Sequence, residues 1–445
     1  MHGTKIRQRM KKGLALLLAA VLVTAFAGCG SEQYIGAEAL IEPGSSSSGT
    51  GLEPLEINET FELKYLDFAV EMFQLTRKSA GKTMAVSPLS VMFALGMAEN
   101  GASGETLAQM EEKFGFSRDV MNRYLATLLS EVNGNEGLRI ADSVWLRDSF
   151  ADSVKKEYLQ ICANAYRAGV FKAPFDQSTV DDINLWIRNN TDGMIEKMLN
   201  DGGIPGNLVL VNAVLFDQKW ADPFDKEKTE KSAAFYDASG TKTGTVDLMT
   251  ETYSGSYYQD EWCTQVRKSY KDGYFSFSVY QPREGVTVEE LLAQMSSQYL
   301  YGMNGYGKRH EAKITLQLPK FTSEYFCDNM ADILMEMGFT APFSTGLDSI
   351  SDDRVIVLGE VLHKTMVEVD EEGTKAAAAT IMMEKAAAPR YSLLCWRKRP
   401  SEGTLTTRTF LPSARSSLAP ASRVETSEPE ATRMTSGFSS EPATM

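Results

Sequence analysis

Histidine is almost missing from this chain: three occur in 445 residues, at His2, His310 and His363. A serine or cysteine hydrolase needs an imidazole as its general base, and His2 belongs to an N-terminal leader, so such chemistry would rest on one of two residues. No GxSxG elbow, HExxH helix, P-loop or post-strand GxGxxG occurs, which removes the common hydrolase, metalloprotease and nucleotide-binding signatures. The five cysteines, Cys29, Cys162, Cys263, Cys327 and Cys395, form no CxxC pair, so neither a zinc ribbon nor a dense disulfide framework is expected. No cofactor or metal is expected either. Positive charge is in deficit, with 45 Lys and Arg against 59 Asp and Glu and a formal net charge of −14. That balance argues against nucleic acid as a partner.

What is present begins with a leader. Lys5, Arg7, Arg9, Lys11 and Lys12 precede an apolar run from Leu14 to Phe26, too short for a comfortable membrane span and shaped as a signal segment. It ends Phe26-Ala27-Gly28-Cys29, which resembles a bacterial lipobox with Phe26 in place of the usual Leu. The expectation is cleavage after residue 28, lipid on Cys29 and a location outside the cytoplasm on the outer face of the membrane; an ordinary signal peptide cut nearby, with secretion, is the alternative. Residues 29–58, with the run from Gly44 through Ser48 to Gly51, read as a flexible tether.

Apolar residues at three- and four-residue steps from Phe61 to Leu75 predict an amphipathic helix and the start of the globular body at about residue 59. Ser87-Pro88 predicts a capped helix running to Asn100-Gly101. Leu208 to Phe216, apolar except for Asn212, predicts a central strand buried on both faces. Alternation from Ile314 to Phe321 and β-branched residues from Val355 to Val369 place strands late in the chain. The class is α+β, without internal repeats. His310, in a polar stretch, reads as a solvated loop residue, and His363, after Val361-Leu362, as a buried imidazole satisfied by hydrogen bonds.

The segment Glu371-Glu372-Gly373-Thr374-Lys375-Ala376-Ala377-Ala378-Ala379-Thr380 is a helix by propensity alone, with Thr374 as cap and four alanines following. Motifs along the chain point elsewhere. Ser87-Pro88-Leu89-Ser90 with Gly101-Ala102-Ser103-Gly104-Glu105-Thr106, Ile183-Asn184-x-Trp186-Ile187 with Thr191-x-Gly193-x-Ile195, Val209 to Phe216 followed by Trp220, Phe224 and Thr229, and Leu362-His363-Lys364 leading through Val367 and Val369 to the alanine segment together resemble the serpin family over residues 59–389. The resemblance implies a helical N-terminal part, a large central sheet and an exposed reactive-centre loop. It implies inhibition of a serine protease by a loop that is cut and then inserts into the sheet, not enzymatic activity, by a protein acting as a monomer.

Insertion requires small uncharged inward side chains. With Thr374 inward, period-two alternation also turns Ala376, Ala378 and Thr380 inward and Lys375 out. No inward charge precedes Glu384, and Gly373 offers a bend at the start. The family's spacing from Glu371 places the scissile bond at Ala387-Ala388, which suits an elastase-like protease; a cut after Lys385 would suit a trypsin-like one, and Ala386 to Ala388 as plain linker stays open. The resemblance also implies a shutter cluster of Ser87, Ser90, Asn212 and His363 beneath the opening sheet, with Trp220 near its top. Ser87 as a helix cap and Trp220 as a plain core residue are equal readings.

The likeness stops before the chain does. The family's two C-terminal core strands are not recognisable in residues 390–445, which are rich in Ser, Thr, Pro and Ala and read as a divergent, disordered tail. A shifted reading frame produces such an abrupt change of composition, and genuine divergence is the alternative. Either way an unfilled core and open sheet edges are expected, which opens a second functional reading, a non-inhibitory or inactive binding protein.

Overall fold

Ser87 and Pro88 start a helix for the reason their residue types suggest. Ser87 stays extended (φ −112°, ψ 93°), its hydroxyl accepts from the Ser90 N–H, and Pro88 takes the first helical turn. The helix that follows is buried on nearly every side, from Ser90 to Glu99, so it forms the pillar against which the sheet is built.

The computed structural model describes residues 35–43, 52–53, 55–80, 84–132, 137–236, 241–303 and 307–385. In chain order these form β1 (Glu38–Ile41), α1 (Glu59–Ala80), α2 (Pro88–Glu99), α3 (Gly104–Phe114), α4 (Arg118–Val132), β2 (Leu138–Arg147), α5 (Asp148–Ala151), α6 (Lys156–Ala165), β3 (Gly169–Ala173), α7 (Gln177–Asn190) and β4 (Leu208–Lys219). The second half continues as β5 (Glu230–Tyr236), β6 (Lys242–Gln259), β7 (Cys263–Ser269), β8 (Ser276–Pro282), α8 (Val288–Gln294), α9 (Ser297–Tyr301), β9 (Arg309–Pro319), β10 (Phe321–Cys327), α10 (Met330–Glu336), β11 (Leu358–Val369) and β12 (Gly373–Glu384). Helices dominate early and strands late, as the periodicity indicates.

A seven-stranded sheet runs β1-β3-β2-β4-β12-β11-β10, and a five-stranded sheet holds β5 to β9. Two apolar layers clamp the larger sheet. On one face, side chains of α1 to α4 and α6 pack beneath Leu210, Val214, Ala378 and Met382. On the other, Ile183, Trp186 and Ile187 of α7 cover Val211, Ala213, Ala377, Ala379 and Ile381. Burial on both faces explains why β4 is a nearly unbroken apolar run.

Three readings change. The alanine segment is neither a helix nor an exposed loop: it is β12, paired antiparallel with β4 on one side and β11 on the other. Two waiting ladders and two apolar faces outweigh a helix propensity worth at most a few tenths of a kcal/mol per alanine. The stretch 29–58 is not all tether, since β1 pairs with β3 and Ile35, Ala37, Leu52, Leu55 and Ile57 pack on the body. His310 sits exposed on strand β9, beside the Tyr257 ring.

Candidate functional site

The site is the slot in the larger sheet and the strand that fills it. At the mouth, Gly373 lies opposite Lys219, and a Cβ there would stand 2.1 Å from the Gln218 carbonyl oxygen. Gly373 is therefore needed for close backbone approach, and not for the bend expected of it. Trp220 closes the mouth from beside β4. Its ring stacks on Tyr270 at 4.6 Å, and its Nε1–H donates to the Asp370 carbonyl at 2.9 Å. Its backbone N–H donates to Glu372 O, so Trp220 is both a core residue and a contact of the entering hinge. Buried Glu371 accepts from Lys320 at 2.9 Å and from Thr229 at 3.1 Å; the lysine bond first of all holds its carboxyl below the usual range. Exposed Glu372 bridges Lys219 and Lys226 at 2.8 and 2.7 Å, which bring its pKa down to about 2.

Along the strand the alternation holds. Ala378, Thr380 and Met382 face the α2 side, while half-buried Lys375, 3.9 Å from Asp217, shares the opposite face with Ala377 and Ala379. Ile381, Met382 and Met383, each 4 % exposed or less, contribute about 1.5–3 kcal/mol apiece by leaving water.

At mid-sheet the polar residues gather. The Ser87 N–H donates to His363 Nε2 at 3.0 Å, so Nδ1 carries the ring proton and donates to Thr380 Oγ1 at 2.9 Å. Thr380 then meets Ser90 Oγ at 2.8 Å. His363 is fully buried, which lowers its pKa to about 4 and keeps it neutral. Three of the four expected shutter residues thus meet, Ser87 through its backbone while its hydroxyl caps α2. Asn212 does not join them. Thr380 stands between it and His363 in register, and the Asn212 amide donates instead to Asp142 Oδ1 at 3.0 Å. Because β12 lies between β4 and β11, Asn212 and His363 are two strands apart, which is the physical reason for that correction.

At the far end Glu384 is buried, accepting from the Asn207 N–H at 2.6 Å and its side-chain amide at 3.0 Å; burial raises its pKa. Lys385 follows, exposed. Ala387, Ala388 and Cys29 lie outside the described residues. The site also contains Asp142, Thr229 and Lys320; in the sequence Thr229 stands in a family motif and Asp142 is a carboxylate in the largely apolar stretch Ile140 to Leu146, while Lys320 leaves no signal.

Beside the slot lies a cavity of about 1310 Å3 lined by Phe61, Tyr65, Leu89, Leu138 and Phe275 among others, larger than the roughly 300–1,000 Å3 of ordinary ligand sites. Among the described residues no side chain fills it, and β8 ends its sheet without a further partner strand.

The sheet holds β12 as a central strand between β4 and β11, with a glycine at one end and a polar relay halfway, an arrangement of a mixed α+β fold built on one large sheet. The chain is a member of the serpin family: the model described as serpin (serine protease inhibitor) matches residues 64–395. It is 29 % identical to serpin B6 of Macaca fascicularis over 348 residues, covering 73 % of this chain and 90 % of that one. It is 27 % identical to leukocyte elastase inhibitor A of Mus musculus, covering 70 % and 86 %. Among solved structures it resembles the thermophilic serpin tengpin in the latent state, at 34 % identity and TM-score 0.66, over 74 % of this chain and 91 % of that one.

Proposed function

We propose that this protein inhibits a serine endopeptidase as a suicide substrate. The observation that carries the reading is β12 itself: Gly373 to Glu384 fits between β4 and β11, with Ala377, Ala378 and Ala379 buried in the apolar layers on the two faces. In this reading a protease cuts the loop beyond Lys385 and forms an acyl-enzyme on the new carboxyl end. Insertion of twelve residues at about 3.4 Å each then carries the attached enzyme about 40 Å along the sheet. Deacylation is outrun when that displacement distorts the protease before water reaches the ester.

The bond assigned is Ala387-Ala388, and the target an elastase-like enzyme, supported by the small residue and by likeness to a relative named for inhibiting leukocyte elastase. Lys385 supports a trypsin-like target as the alternative. Residues 1–28 serve as a lipoprotein leader and Cys29 as the lipid anchor, holding a monomer outside the cytoplasm. Residues 390–445 form a divergent tail.

The test is incubation of residues 30–445 with pancreatic elastase, followed by a denaturing gel and mass spectrometry. A covalent band with the cut at or beside Ala387 supports inhibition; cleavage without a complex overturns it. A second reading, a non-inhibitory member, is favoured by two observations: the hinge already fills its slot, and the apolar cavity stands empty of described side chains.

A further inference from the structure

Asp142, Asn212, Thr380 and His363 lie directly opposite one another on β2, β4, β12 and β11, so four polar side chains cross the sheet at one level. All four are 2 % exposed or less. Their hydrogen bonding does not balance. The Asn212 amide donates to Asp142 Oδ1, but Asp142 Oδ2 and Asn212 Oδ1 are both buried acceptors without a donor. A proton on the carboxyl would turn one of these orphaned acceptors into a donor. His363 has the opposite constraint, because Nε2 is occupied as an acceptor by the Ser87 N–H and a second ring proton would break that bond.

We propose that the inserted sheet binds a proton at Asp142 and excludes one from His363, so that the two residues make the inserted state respond to pH in opposite senses. The inference concerns the inserted state alone and holds whether or not the protein inhibits a protease.

The groups around Asp142 offer no counter-charge. Asn212 faces it from β4; Cys162 of α6 and Tyr166 just after it feel its charge, and Tyr158 of α6 meets Cys162. Burial pushes the Cys162 thiol up to about 12 and both phenols well above their ordinary value, so all three stay neutral. Burial likewise raises Asp142 to about 8 against only a partial opposing pull from Asn212. Opposite His363 on β10 stands Cys327, whose thiol burial pushes up; on α2, Ser90 faces Thr380, and Glu99, with both oxygens unpartnered, is raised to about 8 by burial first of all.

The signs follow. A carboxyl raised from near 4 to about 8 favours the inserted state fully below pH 4 and loses that contribution, up to tenfold in the equilibrium constant per pH unit, as pH rises to 8. An imidazole lowered from 6.5 to about 4 contributes above 6.5 and loses its contribution as pH falls to 4. Between pH 4 and 6.5 the slopes of Asp142 and His363 oppose; between 6.5 and 8 His363 no longer contributes a slope. Glu99 titrates with Asp142, so each residue is read as a difference between variant and parent.

The experiment is urea unfolding of the full chain from pH 4 to 9 for the parent, Asp142→Asn, His363→Gln and Glu99→Gln, with infrared spectra of the protonated-carboxyl band. Expected are a gain in stability for Asp142→Asn relative to the parent that grows up to tenfold per unit from pH 4 to 8, and loss at pH 6 of part of the carboxylic-acid band. For His363→Gln the difference should change only between pH 4 and 6.5. A parallel Asp142→Asn profile, or an unchanged band, overturns the proposal. If Asp142→Asn fails to fold, the parent decides: an acid band that titrates away near pH 8 in Glu99→Gln sustains the proposal, and no such band ends it.

Discussion

The slot and the cavity are neighbours in one core and opposite in condition. The slot is filled by β12, whose Ala378 and Met382 join the apolar layer of α2 and whose Ala377, Ala379, Ile381 and Met383 join that of α7, whereas among the described residues no side chain fills the cavity beside Phe61, Tyr65, Leu89 and Phe275. The difference teaches where stability resides. The apolar side chains of the slot are packed from both faces; those lining the cavity are packed, among the described residues, on one side only.

The largest break in this contrast should come from charge. Ala378→Glu would set an unpaired carboxylate against the α2 layer, costing about 3–5 kcal/mol by analogy with broken buried pairs. Insertion should then be too slow to outrun deacylation, turning complex on the denaturing gel into cleaved protein alone. Next, Ile381→Ala should cost about 2–5 kcal/mol in urea unfolding, while Leu89→Ala, bordering space already open, should cost distinctly less; equal costs would erase the distinction. His363→Ala should follow at about 1–3 kcal/mol, since it removes the partner of buried Thr380 and of the half-buried Ser87 N–H, and His363→Gln should recover part of it. Smallest is Glu372→Gln. Its two lysine partners are well exposed, so the unfolding midpoint should barely move and the effect should vanish at high salt.

Much of this was legible in the residues. The Ser87-Pro88 helix start, the buried strand around Asn212 and the buried His363 follow from local pattern, whereas the strand at Thr374 to Thr380 was legible only through the family resemblance, since local propensity there favours a helix. What was not legible is non-local. Asn212 needed a partner, but nothing in its own strand says that Asp142 supplies it, because that pairing depends on which strands are adjacent. The strand β1 was invisible for a similar reason: four residues of modest hydrophobicity become a strand only because the β3 edge is there to receive them. Gly373 was marked for its freedom of rotation, and the structure uses its lack of a side chain.

That last feature has a mechanical meaning. With Gly373 wedged against Gln218 at one end and Glu384 tied to Asn207 at the other, the strand is indexed at both ends. A slip of a single residue would turn Lys375 toward the apolar layer under α2 and exchange every inward and outward side chain. If the strand enters by the proposed insertion, threading would come to rest only in the correct phase, so the slot would work as a detent as well as a receptacle, with no neighbouring notch for a chain that stalls part-way.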